Sequence, residues 1–157
     1  MARCESRRSP VGTEPHRKPV LLAKRLPAPY TTLSMTPIKG LELAKACARA
    51  ANEMQAEDIR IWDLRGLSSL TDFMIVCSGN SMPHLRGILR DIGRIVEDEH
   101  GVRPHQAEGR AETRWVVLDF IDVMVHVMHQ EMRDLYDLEK LWGDAKEIEW
   151  NEEKAAE

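Results

Sequence analysis

The chain has 157 residues, 43% hydrophobic and 31% charged, which is long enough and apolar enough for one packed domain. Its longest uninterrupted apolar run, residues 73–77, is far shorter than the roughly 20 residues of a membrane helix. The three cysteines, Cys4, Cys47 and Cys77, are widely spaced and match neither a disulfide framework nor a metal-binding pattern. We therefore expect a soluble, cytoplasmic protein without a membrane partner.

Charge and proline content divide the chain into parts. Residues 1–34 contain five prolines, seven Lys or Arg residues and two glutamates, a net charge of +5, whereas the rest contains 15 bases and 24 acids, a net charge of −9. Proline-rich basic sequence without a helix or strand period predicts disorder. We expect a basic arm over residues 1–34, a folded domain over 35–143 and a flexible acidic tail over 144–157. Met35 is a candidate for the natural start.

The first elements of the folded part are a helix and two strands. Thr36 followed by Pro37 is a typical helix start, and apolar residues recur at helical spacing from there, so a first helix is predicted over residues 37–54. Apolar segments at residues 59–64 and 73–77 predict two strands.

A second helix is predicted from Asn80 or Ser81, either of which can cap its first turn, to Gly101, which favours a helix end. Its apolar residues form a stripe roughly 120° wide, and most of its charged residues take the opposite face. The stripe contains Leu85, Ile88, Leu89, Ile92, Ile95 and Val96; the opposite face contains Arg86, Arg90, Arg94, Glu97 and Asp98. This helix should bury only one face.

A loop or short strand over residues 102–113 leads into a predicted hairpin, with strands 115–120 and 123–128 joined by a turn at Ile121 and Asp122. Both faces of the hairpin are apolar, so a helix or another protein should cover the second face. One face carries Val116, Leu118, Val123, Val125 and Val127; the other carries Trp115, Val117, Met124, His126 and Met128.

A third helix is predicted over residues 130–142, with Gly143 as its stop. Its apolar residues cover more than half of its circumference, so some of them should remain outside the core. The element order α-β-β-α-(β)-β-β-α predicts an α/β fold with a mixed sheet and flanking helices.

Three ordered sequence blocks lie in the folded part: Thr71-Asp72-Phe73-Met74-Ile75-Val76 with Ser78-Gly79, then residues 122–128 (DVMVHVM), then residues 135–142 (LYDLEKLW). Together they resemble the RsfS/Iojap family of ribosomal silencing factors. The similarity covers residues 38–143, and one departure is Ile121, where many members carry glycine. The resemblance implies a nucleotidyltransferase-like core and a non-enzymatic role. It also implies binding to large-subunit ribosomal protein number fourteen (uL-fourteen), where the protein blocks subunit joining and represses translation under nutrient limitation.

The implied fold raises one alternative, a metal-dependent nucleotidyltransferase. Such an enzyme needs a phosphate cradle before a helix and neighbouring strand carboxylates that hold two metal ions. Gly79, Asn80 and Ser81 could form the cradle, but Asp119 and Asp122 are three residues apart across a turn and should not point together. We therefore predict no catalytic residues and no cofactor.

The histidines and the charge argue against other ligands. His126 and His129 would point to opposite sides of a strand, which disfavours a metal site. The net charge of −9 outside the arm disfavours direct nucleic-acid binding and suits a basic ribosomal protein instead. The resemblance also makes a homodimer plausible.

The predicted partner-binding surface lies on the outward face of the hairpin and the start of the third helix. It combines aromatic and methionine side chains with an acidic border, as protein interfaces often do. The predicted residues are Trp115, Met124, His126, Met128, Glu131, Asp134 and Tyr136.

Overall fold

The structure is a computed structural model that describes residues 37–151. The predicted arm over residues 1–34 and the last part of the predicted tail, 152–157, lie outside the described residues. Within the described range, no helix is both long enough and apolar enough to cross a membrane.

The described residues form a mixed six-stranded sheet with helices. The elements are α1 (Gly40–Glu53), β1 (Glu57–Asp63), β2 (Phe73–Gly79), α2 (Met82–His100), β3 (Gln106–Arg110), β4 (Trp115–Asp119), β5 (Val123–His129), α3 (Gln130–Tyr136), α4 (Leu138–Leu141) and β6 (Lys146–Ile148). The strand order is β3-β4-β5-β2-β1-β6; β2 and β5 are parallel, and the other neighbouring pairs are antiparallel. The mixed α/β sheet is therefore confirmed, and residues 102–113 do contain a strand.

α1 and α2 cover one face of the sheet and form the larger core with it. The apolar stripe predicted for α2 is inward, and Leu85, Ile88 and Ile92 are completely buried. The Ser81 hydroxyl accepts the first-turn hydrogen bond from the His84 N–H, and Gly101 ends the helix with a left-handed φ of 66°. Sequence and structure agree for this helix.

α1 begins later than predicted. Its N-cap is Lys39, which makes no side-chain capping bond, and its first residue is Gly40, with φ of +54°. Glycine adopts this left-handed conformation with little strain, so the chain can turn into the helix there. The predicted start at Pro37 was therefore wrong.

A smaller core lies on the second face of the sheet, beneath α3 and α4. Its buried side chains come from β1 and the residue that follows it, from β2, from β5 and from α4, and four half-buried apolar residues complete it. The buried set is Trp62, Leu64, Met74, Val76, Met128 and Leu138; the half-buried set is Trp115, Met132, Trp142 and Ala145. The apolar second face of the hairpin is thus covered in part by the protein's own helices.

The single third helix predicted over residues 130–142 is instead two short helices. The break is at Asp137, which has the left-handed angles φ 43° and ψ 58° and whose carboxylate accepts a hydrogen bond from the Lys140 N–H. Aspartate tolerates this conformation better than most residues, and it is also a good helix cap. One residue therefore ends α3 and starts α4.

The flexible tail predicted from residue 144 was wrong for residues 146–148. These form β6, which pairs antiparallel with β1 through partners such as Ile148 and Ile61. Beyond it, the Trp150 indole N–H donates to the carbonyl of Ile59 at 3.0 Å. Pairing with the edge of β1 orders a segment whose own sequence is mostly polar.

Candidate partner-binding surface

Three aromatic rings meet where β4, β5 and α3 come together. Trp115 on β4 and His126 on β5 share one sheet face, and the indole N–H of Trp115 donates to His126 Nδ1 at 3.1 Å. The ring of Tyr136 contacts that of Trp115, with the two centroids 4.8 Å apart. Tilted rings at this distance attract each other. The hydrogen bond and the ring contact together fix the orientation of Trp115.

His126 is a structural support for Trp115. Burial lowers the pKa of His126 from 6.5 to about 4, because the charged imidazolium would lose its hydration. The ring is therefore neutral at pH 7, and Nδ1 can accept the Trp115 N–H while Nε2 carries the proton. With only 9% of its surface exposed, His126 offers a partner little contact.

The histidines do not form a metal site within residues 37–151, where no group of three or more His, Cys, Asp or Glu side chains could hold an ion. His129 instead caps the start of α3, where its Nδ1 accepts a hydrogen bond from the N–H of Glu131. The two histidines thus differ in role as well as in direction.

The two predicted methionines are not equivalent. Met128 is completely buried in the smaller core, in the same cluster as Leu138 of α4. Met124 lies near the other end of β5 and is half-buried. Met128 therefore supports the surface from below, and only Met124 keeps area that a partner could touch.

The two predicted acids are both exposed, but their charges are compensated differently. Glu131 forms an ion pair with Arg114. Asp134 accepts a hydrogen bond from the neutral side-chain amide of Gln130 at 2.7 Å. The charge of Asp134 is therefore the less compensated of the two.

Arg133 is the main residue that the sequence reasoning missed. Its side chain is only 3% exposed and lies under α3. Nη1 donates to the carbonyl of Asp58 at 2.7 Å and to Ser78 Oγ at 2.9 Å, and Nε donates to Glu139 Oε1 at 2.5 Å. Nη2 lies 3.1 Å from the Asp58 carboxylate but is not aligned for a hydrogen bond with it. One guanidinium thus ties α3 to β1, to β2 and to α4.

The buried arginine determines which side of α3 faces outward. Since Arg133 points into the protein, Leu135, about 200° further around the helix, points away from it and is 72% exposed. Tyr136, the last residue of α3, is 52% exposed. Leu141 of α4 is also exposed, at 68%. The only sequence signal for this outcome was the excess of apolar residues around the predicted helix. We call Trp115, Met124, Leu135, Tyr136 and Leu141 the apolar surface below.

The residues considered for a nucleotidyltransferase site have structural roles. Asp119 Oδ1 accepts the N–H of Ile121 at 2.7 Å and so stabilises the hairpin turn. Ser81 caps α2, and the side chain of Asn80 lies 3.1 Å from His84 Nδ1. A Cβ on Gly79 would approach Leu85 Cδ2 to 2.9 Å, so close packing against α2 explains that glycine. Turn formation, capping and packing account for each of these residues.

Comparisons with known proteins identify the family. A family described as "Ribosomal silencing factor during starvation" matches residues 37–157. The chain is similar to the ribosomal silencing factor RsfS of Bacillus subtilis, with 43% identity over 66% of this chain and 86% of that protein. It is also similar to chloroplastic protein Iojap of Zea mays, with 34% identity over 69% of this chain and 47% of that protein.

Solved structures agree with the sequence comparisons. The crystal structure of a Chromobacterium violaceum protein matches with a TM-score of 0.63 and 34% identity over 68% of this chain and 88% of that one. The crystal structure of a Bacillus halodurans protein matches with a TM-score of 0.59 and 34% identity over 69% of this chain and 97% of that one. This chain belongs to the family of ribosomal silencing factors, RsfS.

Proposed function

We propose that this protein binds the large ribosomal subunit through the apolar surface and prevents the small subunit from joining. Translation would then be repressed when nutrients are scarce. Family membership supports a ribosomal silencing role, and the resemblance set out above implies uL-fourteen as the partner. We choose this surface because the rings of Trp115 and Tyr136 contact each other there, beside the exposed Leu135.

The apolar surface has the properties of a docking site. The ring contact with Tyr136 and the hydrogen bond to His126 hold Trp115 in place before any partner arrives. Little conformational entropy would therefore be lost when these aromatic side chains become ordered in a complex. Aromatic residues held in this way are the ones that contribute most to protein interfaces.

The surroundings of the apolar surface favour a basic partner. A crevice of about 400 Å³ beside α3 has Asp58, Asp134, Asp137 and Glu139 in its lining, against two arginines. Within residues 37–151 there are 21 acidic and 14 basic residues, a net charge of −7. Ribosomal proteins present basic surfaces, so the charges would attract such a partner and speed association.

The proposed action needs no catalytic step. A domain seated at the interface between the subunits would exclude the small subunit by its volume, and the reversible event is binding. Two residues considered for an enzyme already have structural roles: the Asp119 carboxylate stabilises the turn at Ile121, and the Ser81 hydroxyl caps the start of α2. This supports a regulatory binding protein over a nucleotidyltransferase.

Cosedimentation with purified large subunits tests the proposal. Wild type should pellet with the subunits, and Asp134→Lys should associate more slowly and with weaker salt dependence. Glu131→Lys should have the smaller effect, because the Glu131 charge is already offset by Arg114. Arg49→Glu on exposed α1 is the control and should bind as wild type does. Normal binding by every variant would place the partner on another surface, and no binding by wild type would refute the proposal.

A further inference from the structure

A second surface lies on the opposite face of the sheet, where β3 extends beyond the edge of α2. There, a groove of about 480 Å³ runs between α2 and the segment that leads into β3 and β4. Its floor is apolar and is formed by Leu89, Gly93, Pro104, Ala107 and Leu118. Leu118 and Trp115 alternate along β4, so the groove and the apolar surface lie on opposite faces of the sheet.

Three arginines form the rim of this groove: Arg90, Arg94 and Arg103, all with exposed side chains. The buried carboxylate of Asp91 holds two of them, accepting from Arg90 Nη2 at 2.9 Å and from Arg94 Nε at 3.3 Å. Arg103 is held by Glu97 at 2.5 Å. Arg94 Nη1 also donates to Asp98 at 3.4 Å. Three guanidinium groups thus pair with three carboxylates, and each keeps N–H donors that these carboxylates do not use.

The local charge differs from that of the rest of the domain. Residues 82–110 contain five arginines and five acids and are neutral, whereas the remainder of residues 37–151 has nine bases and sixteen acids. An anionic group is therefore repelled less by this segment than by the remaining described residues taken together. Pre-positioned arginines bind carboxylates with good geometry and little loss of side-chain entropy.

We propose that this groove binds an acidic peptide segment of a protein partner. One apolar side chain of the segment would rest on Leu89 and Ala107, above the buried Leu118, and its neighbouring carboxylates would bind Arg94 and Arg103. RNA fits less well: the groove lining contains no aromatic side chain on which a base could stack. This inference is independent of the proposed function, since it concerns the other face of the sheet.

The probe for a binding test is a fluorescein-labelled ten-residue peptide of Glu, Leu and Ser, measured with the full chain by fluorescence anisotropy. A matched peptide with Lys in place of Glu and a labelled decauridylate RNA are the comparisons. The acidic peptide should bind at least about tenfold more tightly than either. In a ¹⁵N–¹H spectrum it should shift the backbone signal of Ala107.

Two variants test separately how the rim charge and the apolar floor contribute to peptide binding. Arg103→Glu removes one rim cation, whose only ion pair within residues 37–151 is with Glu97. Gly93→Leu fills the floor without changing the charge: a Cβ at this position would lie 3.7 Å from Pro104 Cγ, and leucine favours the helix more than glycine does. Each variant should weaken peptide binding about tenfold, while Arg49→Glu should leave it unchanged. The proposal is overturned if the acidic peptide does not bind, if the lysine peptide or the RNA binds as tightly, or if both groove variants bind normally.

Discussion

Replacing the buried Arg133 should destabilise the fold and loosen the apolar surface. In Arg133→Met, the Ser78 hydroxyl, 1% exposed, and the carbonyl of Asp58 both lose their donor. An unsatisfied buried group such as the Ser78 hydroxyl costs about 1–3 kcal/mol, and the carbonyl of the exposed Asp58 costs less because water can reach that residue; the methionine avoids the cost of desolvating a guanidinium. Methionine also fills most of the volume, so little cavity cost is added. We expect a loss of about 3 kcal/mol in the free energy of unfolding.

Urea denaturation followed by circular dichroism measures this loss, and a double-mutant cycle assigns it. Ser78→Ala alone should cost about 1 kcal/mol. In the Arg133→Met background it should cost almost nothing, because its partner is already absent. Arg133→Lys should recover less than half of the free energy of unfolding that Arg133→Met loses, since one ammonium cannot reach β1, β2 and Glu139 together as the guanidinium does.

The same variants report on the surface. If Arg133 orients α3, the Trp115–Tyr136 contact should loosen in Arg133→Met, and the folded variant should bind large subunits more weakly than wild type. Two results would refute the reasoning: a loss below about 1 kcal/mol, which is too small for two orphaned polar groups, or full additivity of Arg133→Met with Ser78→Ala.

Three further predictions concern single residues. Trp115→Ala and Tyr136→Ala should each weaken large-subunit binding by about 2 kcal/mol, measured by titration with folded variants, and normal affinities would remove them from the interface. Burial lowers the pKa of His126 from 6.5 to about 4, so the unfolded chain binds more protons between these pH values. The free energy of unfolding should therefore fall by about 2 kcal/mol from pH 7 to pH 5. Urea titrations at both pH values should show a smaller fall in His126→Gln, and an equal fall would assign the effect to other groups. Ile121 is a largely exposed β-branched residue with φ 74°, a backbone conformation that is strained for such a side chain. Ile121→Gly should therefore be about 1 kcal/mol more stable than wild type. A lower melting temperature of the variant would contradict the inference that Ile121 is strained.

The parts of the fold that depend on local sequence were predictable. α2 combines a stripe of six apolar residues, a serine cap and a glycine stop, and each of these signals lies within the helix or next to it. The hairpin was equally clear, because its two apolar segments are separated by a short turn. The register then places Trp115 opposite Met128 on one face, as alternation along the strands requires.

The parts that depend on distant residues were not predictable. The burial of Arg133 depends on Asp58 and Ser78, which are 75 and 55 positions away in the chain, and no local pattern indicates it. The formation of β6 depends in the same way on distant residues, because this strand pairs with the edge of β1. Met128 was assigned to the partner-binding surface because it shares a strand face with Trp115 and Met124 next to an acidic border, but the sequence could not show that α4 would cover it.

Light scattering of subunit association tests the central claim most directly. Purified large and small subunits are mixed with magnesium after the large subunits have been incubated with wild type, with the Trp115→Ala, Tyr136→Ala double variant, or with Arg49→Glu. The account predicts that wild type and Arg49→Glu suppress the rise in scattering as their concentration increases, whereas the folded double variant leaves association nearly unchanged. Unimpaired association with wild type, or equal suppression by the double variant, would contradict it.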